Sequence, residues 1–141
     1  MSLNPNPRIV VLNGGSSSGK SSITRALQEL VPGIWLTFGV DTFIDALPGR
    51  GASPRAGIIY DPDGSISVSP EYRTLEHAWY TGLAGMAGSG AHIILDEVLL
   101  SGGTKQEHLT SVFRDVTVAW VGIHCDPDIA AAREARRADR V

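Results

Sequence analysis

Gly14-Gly15-Ser16-Ser17-Ser18-Gly19-Lys20-Ser21 fits the pattern G-x-x-x-x-G-K-S/T, and its flanks constrain the fold more than the pattern does. Ahead of it stands an apolar run, Ile9-Val10-Val11-Leu12, as expected of a strand buried on both faces of a parallel sheet. Behind it Ile23, Ala26, Leu27, Leu30 and Val31 recur at helical spacing until Pro32-Gly33 stops them. Glycines let the backbone curl so that successive amides point at phosphate oxygens, and the helix start adds positive partial charge. Lys20 would then reach the β- and γ-phosphates, and the Ser21 hydroxyl would bind Mg²⁺. The candidate nucleotide-binding residues are therefore Gly14, Gly15, Ser16, Ser17, Ser18, Gly19, Lys20, Ser21 and Ser22. A Gly/Ser loop without a ligand is the bland alternative.

Strand and helix signals continue to alternate. A second strand from Ile34 to Val40 delivers Asp41, and Pro48 to Pro54 reads as a loop. Gly57 to Ser69 reads as a hairpin about Asp61-Pro62-Asp63-Gly64. From Pro70 a helix carries Tyr72, Leu75, Trp79, Leu83 and Met86 at its period until Gly88-Ser89-Gly90. A third strand, Ile93 to Leu95, ends in Asp96-Glu97. A short helix over Lys105 to Phe113, a fourth strand over Val116 to Ile123 and an Ala/Arg helix from Pro127 follow. This alternation predicts an α/β protein with an open, mostly parallel sheet flanked by helices, a small β-hairpin insertion and right-handed crossovers. With the glycine-rich turn it specifies a three-layer P-loop NTPase fold. Residues 1–141 read as a single P-loop domain, and an end at Val141 in mid-helix leads us to expect a further carboxyl-terminal strand and helix.

Composition narrows the class. A chain of 141 residues with 43% hydrophobic content can bury a core without staples, and its lone Cys125 cannot form an internal disulfide. There is no run of 18 apolar residues and no signal-peptide pattern, so the expected setting is cytoplasmic with no membrane partner. A formal charge of −3 argues against nucleic acid. Only two of the twelve bases are lysines, Lys20 and Lys105, while four arginines fall between Arg133 and Arg140.

Three further sets of residues suit phosphate chemistry, each with a plainer alternative. Asp96 ends an apolar strand, where a carboxylate would hold Mg²⁺ or its waters; an Asp there also serves as a cap or turn former. Asp41 stands at another strand's carboxyl edge, where it would take the proton of an attacking hydroxyl; otherwise it caps the helix from Thr42 to Leu47. Arg133, Arg137 and Arg140 share one helical face that would meet phosphate, though Glu134 and Asp139 also suit a solvated helix. Trp35, Trp79, Trp120 and Met86 read as packing residues, and Phe38, Phe43 and Tyr60 as candidate lining of an acceptor pocket. His77, His92, His108 and His124 show no ligand spacing, and Cys125 reads as a buried thiol.

Taken together the motifs resemble the chloramphenicol phosphotransferase family, small P-loop kinases that phosphorylate a hydroxyl of the antibiotic with ATP. The similar segments are Ile9 to Ser21, Trp35 to Pro48, Tyr60 to Trp79, Ala91 to Val98 and Trp120 to Val141, which is most of the chain. The resemblance implies that Asp41 matches the catalytic base, Gly14 to Ser21 the ATP loop, Asp96 a strand-end acid, and Arg137 and Arg140 the arginines of a nucleotide lid. It implies ATP and Mg²⁺ as cofactors, with a chloramphenicol-like hydroxyl compound as partner, and leaves room for a homo-oligomer. Glu97 departs from the pattern where a second Asp is expected, and the loop from Leu47 to Gly57 is not family-like.

Overall fold

The structure is a computed structural model that describes residues 7–14, 20–49, 55–98 and 104–123. Strand β1 (Ile9–Asn13) leads to helix α1 (Lys20–Leu30), and β2 (Trp35–Gly39) runs directly into α2 (Val40–Ala46). The hairpin β3 (Ile58–Tyr60) and β4 (Ile66–Val68) precedes α3 (Pro70–Gly88); then come β5 (His92–Glu97), α4 (Thr104–Val112) and β6 (Val118–Gly122). The main sheet has the order β2-β5-β1-β6 with every ladder parallel, and the hairpin forms its own antiparallel pair. The chain leaves β1 for one side of the sheet and returns through α4 to the other. The carboxyl end of β1 is thus a topological switch point, where open α/β sheets bind ligands.

Side-chain alternation explains the layers. Ile9, Val11, Ile93 and Leu95 face α3 and α4, where they pack with Leu83, Ala87, Leu109 and Phe113. Leu12, Ile94 and Trp35 take the opposite face with Val10, Leu27 and Val31. In central β1 and β5 the side chains of Ile9, Val11, Leu12, Ile93, Ile94 and Leu95 are fully buried, as their apolar runs predict. Trp120, expected to pack, is 37% exposed, because β6 is the outermost described strand on its side.

α3 begins where the sequence places it. Ser69 is its N-cap, accepting the Tyr72 amide at 3.2 Å, and Pro70 follows with no amide to lose. Its buried stripe differs from the apolar reading: Tyr72, Glu76, Tyr80, Leu83 and Ala87 are inside, whereas Leu75 and Met86 are exposed. Glu76 and Tyr80 thus take interior positions while the aliphatic Leu75 and Met86 face outward. A smaller cluster of Phe43, Leu47 and Tyr72, joined by Ile58, Val68 and Trp79, fastens α2 and the hairpin to α3. The hairpin turn closes through the Gly64 amide on the Asp61 carbonyl at 2.9 Å, with Gly64 in the left-handed region at φ +88. The Ser65 hydroxyl and amide donate to Asp63 and hold its carboxyl below the usual carboxylate range.

Candidate active site

Parallel strands place all their carboxyl ends on one edge, and among the described residues Gly14, Asp96 and the start of the helix that bears Asp41 lie there. Gly39 of β2 and Leu12 of β1 both lie opposite Asp96 of β5, and Asn13 lies opposite Glu97. The Gly14 amide donates to the Glu97 carbonyl at 3.3 Å, tying the first residue of the glycine-rich turn to the end of β5. Residues 15–19 and the Lys20 side chain lie outside the described structure. α1 begins at Lys20, with Ser21 and Ser22 exposed in its first turn. Amides of a first turn have no acceptor within the helix, so they are available to a ligand.

Asp41 is the second residue of α2 and is exposed, with no hydrogen-bond or ion-pair partner among the described residues. It does not cap the helix. Gly39 is the N-cap residue, and its amide donates to the Thr42 hydroxyl at 3.1 Å. The capping alternative for Asp41 is therefore filled by other residues. Gly39 is also a contact point: a Cβ there would stand 2.9 Å from the Asp96 carbonyl oxygen. Gly39→Ala should accordingly destabilise by about 1–3 kcal/mol, since the clashing atom is backbone and cannot swing away. Thermal unfolding checks this, and an unchanged midpoint would contradict the close approach.

Alternation separates the two acids at the end of β5. Ile94 packs on the α1 face, so Asp96 is directed to the α1 side, whereas Glu97 follows Leu95 toward α3 and α4. Glu97 is fully buried. The Tyr80 hydroxyl donates to it at 2.5 Å, and the Lys105 ammonium stands 3.4 Å from its other oxygen. Lys105 also lies 3.8 Å from Glu76, which Arg73 holds at 3.1 Å. These partners explain why Glu76 and Tyr80 take interior positions on α3: each has a charged or hydrogen-bonding mate across to α4 or β5. Arg73, Glu76, Tyr80, Thr104, Lys105 and His108 line a cleft of about 580 Å³ between α3 and α4.

Burial, and after it the Glu97 charge, raises the Tyr80 phenol above its ordinary value. A group whose folded value is raised contributes stability fully below its unfolded pKa, about 10 for tyrosine, and loses that contribution as pH climbs beyond it. Tyr80→Phe should therefore flatten the alkaline fall of the melting temperature above about pH 10. An identical alkaline slope in the variant would contradict this.

Sequence reasoning missed Tyr80, Glu76, Arg73 and the role of Lys105. The available signal was Lys105 itself, one of only two lysines, standing just after the Asp96-Glu97 strand. The histidines show no ligand spacing along the chain, yet the ring nitrogens of His77 and His108 lie 3.2 Å apart across α3 and α4. Among the described residues no group of three or more side chains is arranged to hold a metal. Phe43 is a core residue rather than open pocket lining; Phe38 packs edge-on to Trp79 at 5.8 Å, and Tyr60 is 60% exposed. Arg133, Arg137, Arg140, His124 and Cys125 lie outside the described residues. No helix among the described residues is long and apolar enough to cross a membrane.

Sheet order and layers, with the glycine-rich sequence between β1 and α1, define a three-layer α/β fold of the P-loop kind. Solved structures agree on the fold. A chain of the Pnkp1/Rnl/Hen1 RNA repair complex superimposes with a TM-score of 0.69 at 14% identity, covering 96% of this chain and 39% of its own. An unliganded sugar kinase from Janibacter sp. HTCC2649 does so with a TM-score of 0.57 at 18% identity, covering 93% and 68%. The chain belongs to the chloramphenicol phosphotransferase-like protein family, whose profile matches residues 7–141. Two Mycobacterium tuberculosis proteins, from the CDC 1551 and H37Rv strains and provisionally named O-phosphotransferases, are each 30% identical over 96% of this chain. This chain spans 65% of the length of those relatives.

Proposed function

We propose that this chain carries an ATP-dependent O-phosphotransferase activity that moves the γ-phosphoryl group to a hydroxyl of a small molecule, with chloramphenicol or a related compound as the leading acceptor. One observation supports the reading above the rest. The start of the glycine-rich turn, the acid Asp96 and the helix that bears Asp41 meet at one sheet edge, with Gly39 packed against the Asp96 backbone. Family membership supports it independently.

In this mechanism the amides of residues 14–21 and Lys20 bind the polyphosphate. Ser21 and Asp96 suit a hard cation, since both supply oxygen, and Asp96 is directed to the α1 side. Magnesium bound there would neutralise phosphate charge. Asp41, with no competing partner among the described residues, orients the acceptor hydroxyl and accepts its proton as the new O–P bond forms. The bond from the γ-phosphorus to the bridging oxygen breaks, and ADP leaves. Arg133, Arg137 and Arg140 are assigned to phosphate contact from the carboxyl-terminal side, where bidentate forks suit a charge spread over equatorial oxygens.

The test is to incubate the protein with ATP, Mg²⁺ and chloramphenicol and to weigh the drug by mass spectrometry. A gain of one phosphoryl group is expected. If the drug is unchanged while another hydroxyl compound gains the group, the acceptor assignment falls and the kinase assignment stands; if no acceptor in a broad hydroxyl panel is modified, the kinase assignment falls as well.

A further inference from the structure

The phosphate loop has a support outside the motif that defines it. Glu97 is the last residue of β5, where the ladder to β1 ends at the Asn13–Glu97 pair, and its carbonyl receives the Gly14 amide. Its side chain occupies a position that the preceding Ile93 and Leu95 fill with aliphatic groups, so a carboxylate sits where an apolar residue would pack. Burying a carboxylate costs several kcal/mol unless partners compensate, and here they come from two helices: the Tyr80 hydroxyl from α3 and the Lys105 ammonium from α4. Lys105 is further fixed by Glu76 at 3.8 Å and by the Tyr80 ring, whose centroid is 5.5 Å from its nitrogen. The raised Tyr80 phenol keeps its proton and remains a donor.

We propose that Lys105 and Tyr80 are positioning residues for the phosphate loop: by clamping the Glu97 side chain between α3 and α4 they fix the carbonyl from which the Gly14 amide hangs. The proposal rests on the reading that residues 14–21 bind nucleotide phosphate. Neither residue is assigned to nucleotide contact. Their effect passes through Glu97, as supporting partners act through a ligating residue.

Lys105→Met retains the stem and removes the charge, Lys105→Arg retains the charge, and Tyr80→Phe removes the donor. Two readouts separate positioning from general support: calorimetric titration with Mg·ATP, and amide hydrogen exchange of the nucleotide-free protein. Lys105→Met is expected to weaken Mg·ATP about tenfold, in line with the loss of a supporting partner, and Lys105→Arg to recover most of it. Exchange should quicken in residues 13–22 and hold its parental rate in the hairpin and α2. Parental affinity and exchange in a folded Lys105→Met protein would overturn the proposal, as would a uniform quickening along the whole chain. If Lys105→Met does not fold, Tyr80→Phe carries the same two readouts with the same expectations. A parent protein that binds no Mg·ATP would count against the proposed function instead, and exchange at residues 13–22 would still decide the positioning role.

Discussion

Asp41→Asn is expected to bind Mg·ATP as the parent does and to lose turnover by on the order of 10²–10⁴-fold, the range that a positioned general base contributes. Asparagine matches aspartate in shape and hydrogen bonding to a hydroxyl but cannot accept its proton, so the loss falls on kcat rather than on nucleotide affinity. The fold should tolerate the change. Asp41 is exposed, the start of α2 is capped by the Gly39 amide on Thr42, and the acid contributes at most the modest gain of a negative charge at a helix start, about 0.3–1 kcal/mol. Near-parental turnover in a well-folded variant would reduce Asp41 to that helix-start role.

Lys20→Ala is the complementary case. A lysine that touches the phosphates in both the ground and transition states lowers binding and turnover together, and kcat/KM should fall on the order of 10²–10³-fold, as when a transition-state donor is removed. Alanine is at least as good a helix former as lysine, so α1 should persist from its first residue. Without nucleotide the variant should melt within a few degrees of the parent. The rise in melting temperature on adding Mg·ATP, which follows ligand concentration over Kd, should shrink. An undiminished rise would remove Lys20 from phosphate binding.

What could be read from the sequence was local. β1, the hairpin turn and both ends of α3 follow from apolar runs, from Asp61-Pro62-Asp63-Gly64, and from Ser69-Pro70 and Ser89-Gly90, each of which acts within a few residues. The placement of Asp41 and Asp96 at one edge follows from parallel pairing, because acids that end parallel strands share an edge whatever the strand order. The support behind the edge is of another kind. Glu76 and Tyr80 take interior positions with partners from elsewhere in the chain, Lys105 of α4 for Glu76 and Glu97 of β5 for Tyr80, so a hydrophobic period along α3 alone selects Leu75 and Met86 instead. The His77–His108 approach spans 31 residues and has the same origin. The exposure of Trp120 depends on β6 being the outermost described strand on its side of the sheet, which no local signal encodes.

A turn after β1 that grips a polyphosphate beside Asp41 should be visible in amide hydrogen exchange with and without Mg·ATP. Exchange should slow on nucleotide addition in the peptides covering residues 13–22, with the hairpin over residues 58–68 unaffected. Unchanged exchange at residues 13–22 under saturating nucleotide, or protection confined to another part of the chain, would contradict such a grip.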